Sequence, residues 1–536
     1  MRPLFNELRD WYEVAVIGGG INGAGIAAAL AQAGYSVLLL EKGDFGSGTT
    51  SKSTRLIHGG LRYLEHADLG LVRESLRERK ELLRRYPHLI KPLRLLMPIY
   101  AGGHYPAWKV RAGLTLYDLL ARGGGLPGHK SLGAQATLRA EPNLSATGLR
   151  SAFTFSDCQA ELPERLTVET VLEARRLGAN CLNYIEARGL ARIESKGATS
   201  FRLSARDLLS DEDIEVSADV VINAAGPWVD QLLGVAGGGG HRRIGGTRGS
   251  HLVLRPEILQ LKQAIYAPAR SDGRPFFLIP WLGQTLLGTT DVRVDGSPDQ
   301  SAMSSGEVAY LLDEANLLLK IRLTHSDVIY TYSGVRALPY HPGGSESAIT
   351  RRHFFVDHAS EGLGGLYSLV GGKLTTYRSV GRKAADLVRR RLGQRWPVKP
   401  DICEAGPTPA GFEQVWGNRA GEVFARYEDR LDLREPICEH TLEPKAAVVE
   451  AARNELATCL ADVFLRRTRV GWMACQGLLV AHEAAQMLGA ELNWPKERVA
   501  AEVQRYREEL ATVHPPLYRV LEQEEIELAS AASSGG

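Results

Sequence analysis

Residues 14–41 read VAVIGGGINGAGIAAALAQAGYSVLLLE, and no residue from Val14 to Leu40 is charged. A bilayer span needs about 20 mainly apolar residues in one helix, so length alone would allow one here. The glycines exclude it. Gly18, Gly19 and Gly20 stand in a row, and Gly23, Gly25 and Gly34 follow. They divide the run into a β-branched strand (14–17), an Ala-rich helix (25–33) and a second apolar strand (35–40). Strands apolar on both faces belong in a buried parallel sheet. A secretion signal is not expected either. Asp10 and Glu13 precede the run, and no small-residue cleavage site follows a short apolar core.

Gly18, Gly20 and Gly23 form G-x-G-x-x-G between strand and helix. In that setting the first glycine makes the tight turn and the second admits a pyrophosphate. The third lets the helix pack on the strand. The open N–H groups and the helix dipole favour an anion there. Glu41 closes the second strand, where a carboxylate can accept both ribose hydroxyls. An acid at that position argues for a dinucleotide without a 2′-phosphate.

The chain has 536 residues, which exceeds one core, so two or three domains are expected. A formal net charge of +2 gives no global field toward nucleic acid. The six cysteines (Cys158, Cys181, Cys403, Cys438, Cys459, Cys475) contain no C-x-x-C pair, so the spacing signals no metal site and no redox dithiol. Reduced thiols in a cytoplasmic compartment are the expectation. Further strands running into glycines occur at 218–225 and 366–370, the latter followed by a helix from about Leu374 to Arg391. The nucleotide unit is therefore expected to be discontinuous. Leu69, Val72, Leu76 and Leu83 predict an amphipathic helix over 68–86. The runs HLVLRP, PFFLIPW and TLLGTT within 241–351 predict an antiparallel sheet. Beyond the linker KPDICEAGPTPAG, Pro444–Phe464 and Pro495–Leu510 predict helices.

Several stretches together resemble one family. They are IGGGINGAGIA, SKSTRLIHGGLRYLE (51–65), VINAAGPWVD (221–230), SGVRALP (333–339) and VGGKLTTYR (370–378), with LRRTRVGW (465–472) a looser match. In this order they resemble the FAD-dependent, quinone-linked glycerol-3-phosphate dehydrogenases of the D-amino-acid-oxidase-like superfamily. The resemblance implies an α/β fold in three parts. The first is a discontinuous Rossmann-like FAD-binding domain (1–95, 150–240 and 352–398). The second is an antiparallel-sheet substrate domain (96–149 and 241–351). The third is a C-terminal all-helical cap domain (408–528), followed by a disordered tail (529–536). The implied reaction oxidises sn-glycerol 3-phosphate to dihydroxyacetone phosphate and passes electrons to a quinone.

The resemblance also implies a substrate site built from His58, Arg62, Tyr63, Arg336, Arg351 and Lys373. Arginine forks suit a phosphate dianion. Arg351 is followed by Arg352 where the family pattern has an acid, so the register of that arginine stays open. His58 and His251 are both candidates for the base that takes the hydroxyl proton. Arg336 or Lys373 would stabilise a developing alkoxide. For the cofactor, Gly18, Gly20, Asn22 and Gly23 are expected at the pyrophosphate and Glu41 at the ribose. Thr50, Ser53 and Thr54 are expected at phosphate or ring, and Ala225 with Gly226 on the adenosine side. Gly372, Leu374 and Thr375 are expected at the flavin carbonyl.

Membrane contact would have to be peripheral, on the inner face of the cytoplasmic membrane. Residues 108–122 (WKVRAGLTLYDLLAR) carry Val110, Leu114, Tyr117 and Leu120 at helical spacing with basic flanks, which suits an interfacial helix or a core-packed one. A homodimer is among the assemblies left open. Three other readings compete: a glycerol-3-phosphate oxidase that makes peroxide, a flavin-binding protein without turnover, and an amine oxidase. The oxidase stays the first alternative; an insertion in the substrate domain often accompanies that activity in the family, and none is evident here, which favours the dehydrogenase. The cluster of cations argues against the other two.

Overall fold

The computed structural model describes residues 8–66, 68–195, 197–237, 241–294, 296–299, 302–342, 349–350, 352–398, 408–517 and 520. The first strand, Trp11–Ile17, lies inside an eight-stranded sheet. It pairs in parallel with Val37–Leu40 on one side and Asp213–Asn223 on the other. Leu366–Val370 extends the parallel set past Asp213–Asn223. The three strand–glycine units, remote in sequence, are thus neighbours in one sheet. Both faces are buried, as the unbroken apolar runs require. Val14 and Val16 pack with Ala24, Ala27 and Leu30 of the helix Ile21–Gln32. Ala15 and Ile17 pack on the other side with Val221 and Leu366.

Two glycines make the first turn possible. Gly18 has φ +108°, and a Cβ on it would meet the Ala224 carbonyl oxygen at 2.5 Å. A Cβ on Gly23 would lie 1.8 Å from the Gly18 carbonyl oxygen.

The second sheet has ten strands and is largely antiparallel. Thr247–Leu254, Pro275–Trp281 and Gln284–Gly288 occur where the apolar runs predicted strands. The domain limits expected near 95 and 150 cut through this sheet. Ile90–Tyr100 and Leu149–Ala160 pair along their whole length within it. Their pairing is non-local, and no short-range pattern encodes it.

The helix expected over 68–86 spans Leu69–Arg85 and opens on Asp68, whose side chain accepts from Leu71 N–H. The helix expected from Leu374 begins as a tight 3₁₀ turn, Leu374–Thr376, and becomes α-helical at Tyr377–Leu392. Beyond residue 408 the described chain is dominated by helices, including Ala410–Trp416, Ala446–Asn454, Ala481–Leu492 and Lys496–Val513. The helix expected over 444–464 stops at Asn454. Leu456 takes φ +60°, and a wide turn over Val463–Arg467 follows. Residues 529–536 lie outside the described residues.

Arg467 of LRRTRVGW bonds the Glu455 carbonyl at this break, from Nη2 at 2.7 Å. Arg466 and Arg467 are buried and both reach the buried carboxylate of Asp44, at 2.7 Å from Arg466 Nε and 3.0 Å from Arg467 Nη2. Arg469 bonds Glu443 at 2.8 Å and Glu161 at 3.1 Å. The helical region is therefore fastened to the loop after the second parallel strand by desolvated ion pairs.

Arg165 to Glu455 is another such fastening, at 2.9 Å. Burial alone would raise the Glu455 pKa, but the charge and hydrogen bonds of Arg165 outweigh it and hold it at about 2. A depressed carboxyl stabilises the fold above its unfolded value near 4.5, and that contribution is lost as pH falls toward 2. Glu455→Gln is expected to lower stability at pH 7 by roughly 3 kcal/mol, because buried Arg165 is left with only Glu169, at 3.2 Å and shared with His88, to balance it. It should also flatten the loss of stability between pH 5 and pH 2, as read by denaturant midpoints across that range.

Candidate active site

A cavity of about 1880 Å³ is lined by both sheets and by residues near 511–515 of the helical region. Gly18, Gly20 and Asn22 line it at the first turn and Glu41 at the end of the next strand. Ala225 and Gly226 follow the third strand, and Gly372, Leu374 and Thr375 follow the fourth. The cavity thus opens at the C-terminal ends of the parallel strands, where ligands bind in such sheets. Gly23 does not line it. Its place is the contact between helix and strand, where it touches the Gly18 carbonyl.

The helix Ile21–Gln32 opens on Gly20, which has no capping side chain, and has no acid in its first turn; apart from Ile21 N–H, which Thr50 takes, its N-terminal end is left open toward the cavity. Asn22 Oδ1 is buried there without a hydrogen-bond partner among the described residues. Glu41 accepts from Gly19 N–H at 2.6 Å and Gly43 N–H at 2.8 Å, so its carboxylate also braces the glycine turn. Burial pushes this carboxyl up, and the Gly43 and Gly19 bonds oppose the rise. The hydroxyl run is used partly by the chain itself. Thr50 Oγ1 accepts from Ile21 N–H at 3.1 Å, and Ser53 Oγ accepts from Arg55 N–H at 3.2 Å. Thr54 Oγ1 lies 2.9 Å from His251 Nε2.

His58, Arg62, Tyr63, His251, Arg336 and Lys373 all line this one cavity. Arg336 ends the strand Val328–Arg336. Its guanidinium bonds Asp291 at 2.9 Å, Thr289 Oγ1 at 3.1 Å and the Thr290 carbonyl at 3.2 Å. Lys373 Nζ lies 3.9 Å over the Tyr63 ring, whose centroid is 6.2 Å from that of His58. His251 is stacked on Tyr332 at 4.7 Å and is 1% exposed. Burial, with the charges of Arg336 and Arg55, holds its pKa well below the usual 6.5. Burial also lowers His58, opposed by Asp157. Arg351 lies outside the described residues; its neighbour Arg352 lines the cavity and bonds Asp68 at 2.9 Å.

Residues 13–378 match the family model described as FAD dependent oxidoreductase, and residues 408–499 match the C-terminal domain of alpha-glycerophosphate oxidase. A glycerol-3-phosphate dehydrogenase from Synechocystis sp. is 40% identical, covering 94% of this chain and 97% of the relative. The chain belongs to the FAD-dependent glycerol-3-phosphate dehydrogenase family. The aerobic glycerol-3-phosphate dehydrogenase of Staphylococcus haemolyticus is 35% identical, covering 78% of this chain and 74% of its own. The glycerol-3-phosphate dehydrogenase of Bacillus halodurans, solved with FAD, superposes with a TM-score of 0.73 at 26% identity, covering 95% and 96% of the two chains. The flavoprotein fold of this family accounts for the uncapped helix, the orphaned Asn22 acceptor and the cavity that continues past Gly372. All three fit a long dinucleotide.

Several residues of this dehydrogenase-family cavity were not legible in the motifs. Arg55, inside the HGG-containing stretch, is fully buried. It is paired with Glu164 at 2.9 Å and lies 4.0 Å from the Trp472 ring and 4.3 Å from Trp281. Gly59 N–H donates to Asp157 at 3.0 Å, and Tyr117 donates to the same oxygen at 2.7 Å. Lys52 donates to the Val513 carbonyl at 3.0 Å, and burial pushes its pKa down to about 7. Asp157 comes from the strand Leu149–Ala160 and Asp291 from the loop after Gln284–Gly288, both outside the motifs, so no spacing rule would find them.

Proposed function

We propose that this family member oxidises sn-glycerol 3-phosphate to dihydroxyacetone phosphate and delivers the electrons to a membrane quinone. The observation that carries the reading is the convergence of Arg336, Lys373 and Arg62 with two burial-neutralised histidines on one cavity. Bound FAD supplies the two-electron acceptor that alcohol oxidation needs. Gly18, Gly20 and the backbone N–H of Asn22 would hold its pyrophosphate, Glu41 its ribose, and the turn Gly372–Thr375 its ring. The cations grip the phosphate and offset negative charge at the reacting oxygen. His251 takes the hydroxyl proton, because burial first and the Arg336 charge second keep it neutral before reaction and Tyr332 and Thr54 fix its ring. His58 is the second candidate, since burial keeps it neutral too.

A base must be unprotonated to act, and a lowered pKa keeps it so to more acidic pH. The acid limb of kcat/KM is therefore expected below pH 6.5. His251→Asn should remove that limb and most of the activity, whereas the same change at His58 should leave the limb in place. The reverse pattern would make His58 the base.

Among the described residues no helix is long and apolar enough to cross a membrane. Of the two readings of the 108–122 stripe, the structure has the core-packed one. Val110, Leu114 and Tyr117 of the helix Ala107–Leu120 are buried. Its outward face carries Trp108, 73% exposed, and Leu119, 51% exposed, beside Lys109 and Arg111. These support peripheral binding through the opposite face. The double change Trp108→Ser and Leu119→Ser should weaken binding to anionic vesicles by about 10-fold or more, with turnover on a soluble dye acceptor kept. Quinone use is tested by reoxidising substrate-reduced protein. Rapid reoxidation by a quinone analogue and slow reoxidation by oxygen is expected, and the opposite order would favour the oxidase.

A further inference from the structure

Cys438 and His440 stand in the loop before the helix Ala446–Asn454, and Cys475 stands in the turn after Trp472. The fold brings one ligand atom of each within 4.8 Å of the other two. One ion can meet three atoms at that spacing from about 2.8 Å or less, and small side-chain rotations close this to the roughly 2.0–2.3 Å of zinc–nitrogen and zinc–sulfur bonds. Two thiolates and an imidazole select zinc over magnesium or calcium, which take oxygen ligands.

Cys438 and Cys475 are both half-buried free thiols, so neither sulfur is tied up in a disulfide.

We propose that Cys438, His440 and Cys475 bind one Zn²⁺, with water in the fourth position. The ion fastens the 438–440 loop to the turn that follows Trp472. That turn borders the cavity wall: the Trp472 carbonyl accepts from Gln284 Nε2 and from the Tyr330 hydroxyl, both at 2.8 Å, and its ring packs on Arg55. Tyr506 donates to the Gln476 carbonyl at 2.7 Å. The site is thus a brace within the helical region, separate from the redox cavity.

The test uses reduced, metal-stripped holoprotein titrated with Zn²⁺, and in parallel with Co²⁺. We expect one Zn²⁺ per chain and, with Co²⁺, a thiolate charge-transfer band with tetrahedral ligand-field absorption. Cys475→Ser and His440→Ala should each weaken binding by about 100-fold or more while flavin content stays at the wild-type value. Cys438→His should keep binding, since it preserves a ligand. No stoichiometric Zn²⁺ and no charge-transfer band in the wild-type protein would overturn the proposal without recourse to any variant. So would equal binding in the variants, or a Cys438–Cys475 disulfide whose reduction yields no metal uptake.

Discussion

Arg336→Ala is expected to lower kcat/KM for glycerol 3-phosphate by about 100- to 1,000-fold, with flavin content unchanged. The figure follows from truncating one partner of a desolvated, hydrogen-bonded charge pair, which costs about 2–5 kcal/mol. Arg336 is held by Asp291, Thr247, Thr289 and the Thr290 carbonyl, so its fork is positioned before substrate arrives. Little ordering remains for the substrate to supply. Arg336→Lys should recover only part of the loss, because an ammonium cannot reproduce the planar fork toward either Asp291 or a phosphate. Steady-state kinetics with glycerol 3-phosphate, alongside the flavin-to-protein ratio, separate the two roles. Equal loss of flavin and activity would make Arg336 a structural residue.

Gly23→Ala is expected to destabilise the fold by about 4 kcal/mol or more and to yield protein without FAD. The new methyl would meet the Gly18 carbonyl oxygen at 1.8 Å and the Gly18 carbonyl carbon at 3.0 Å. Both belong to backbone pinned by Gly18 N–H to the Leu40 carbonyl at 2.8 Å, so no flexible side chain can yield. Gly20→Ala is the matched control. Its methyl would lie 3.4 Å from Thr50 Oγ1, so the apoprotein should keep its thermal midpoint within a few degrees. It should still bind FAD more weakly, since the methyl stands where the pyrophosphate approaches. Thermal unfolding of both apoproteins with an FAD titration reads the difference. Equal damage from the two changes would show that the turn tolerates no side chain anywhere, and would remove the distinction between packing and ligand approach.

The parts of the fold written in short-range pattern were legible. The strand at 14–17, the helix after the glycines, Glu41 and the strand Leu366–Val370 all follow from periodicity and turn chemistry within a few residues. Of the cavity residues, Gly18, Gly20 and Glu41 were legible for the same reason, whereas His58, Arg62, Tyr63, Arg336 and Lys373 were expected only through the family resemblance. What escaped was set by distant partners. Arg55, Arg466, Arg467 and Arg469 carry no local signal of burial, yet each is buried because Glu164, Asp44 and Glu443 arrive from elsewhere in the chain. The stripe of the helix Ala107–Leu120 was ambiguous by spacing. Tyr117 resolves it, since its hydroxyl sits on Asp157 and Gly59 behind the His58 loop. Cys438 and Cys475 carried no spacing signature at all, because two separate loops bring them together.

The most direct test is an anaerobic titration of FAD-loaded protein with glycerol 3-phosphate, following the flavin absorbance, beside the same titration with glycine. Stoichiometric bleaching by the phosphorylated alcohol, and none by the amino acid, is the expected result. Flavin that binds but stays oxidised at saturating glycerol 3-phosphate would contradict the account.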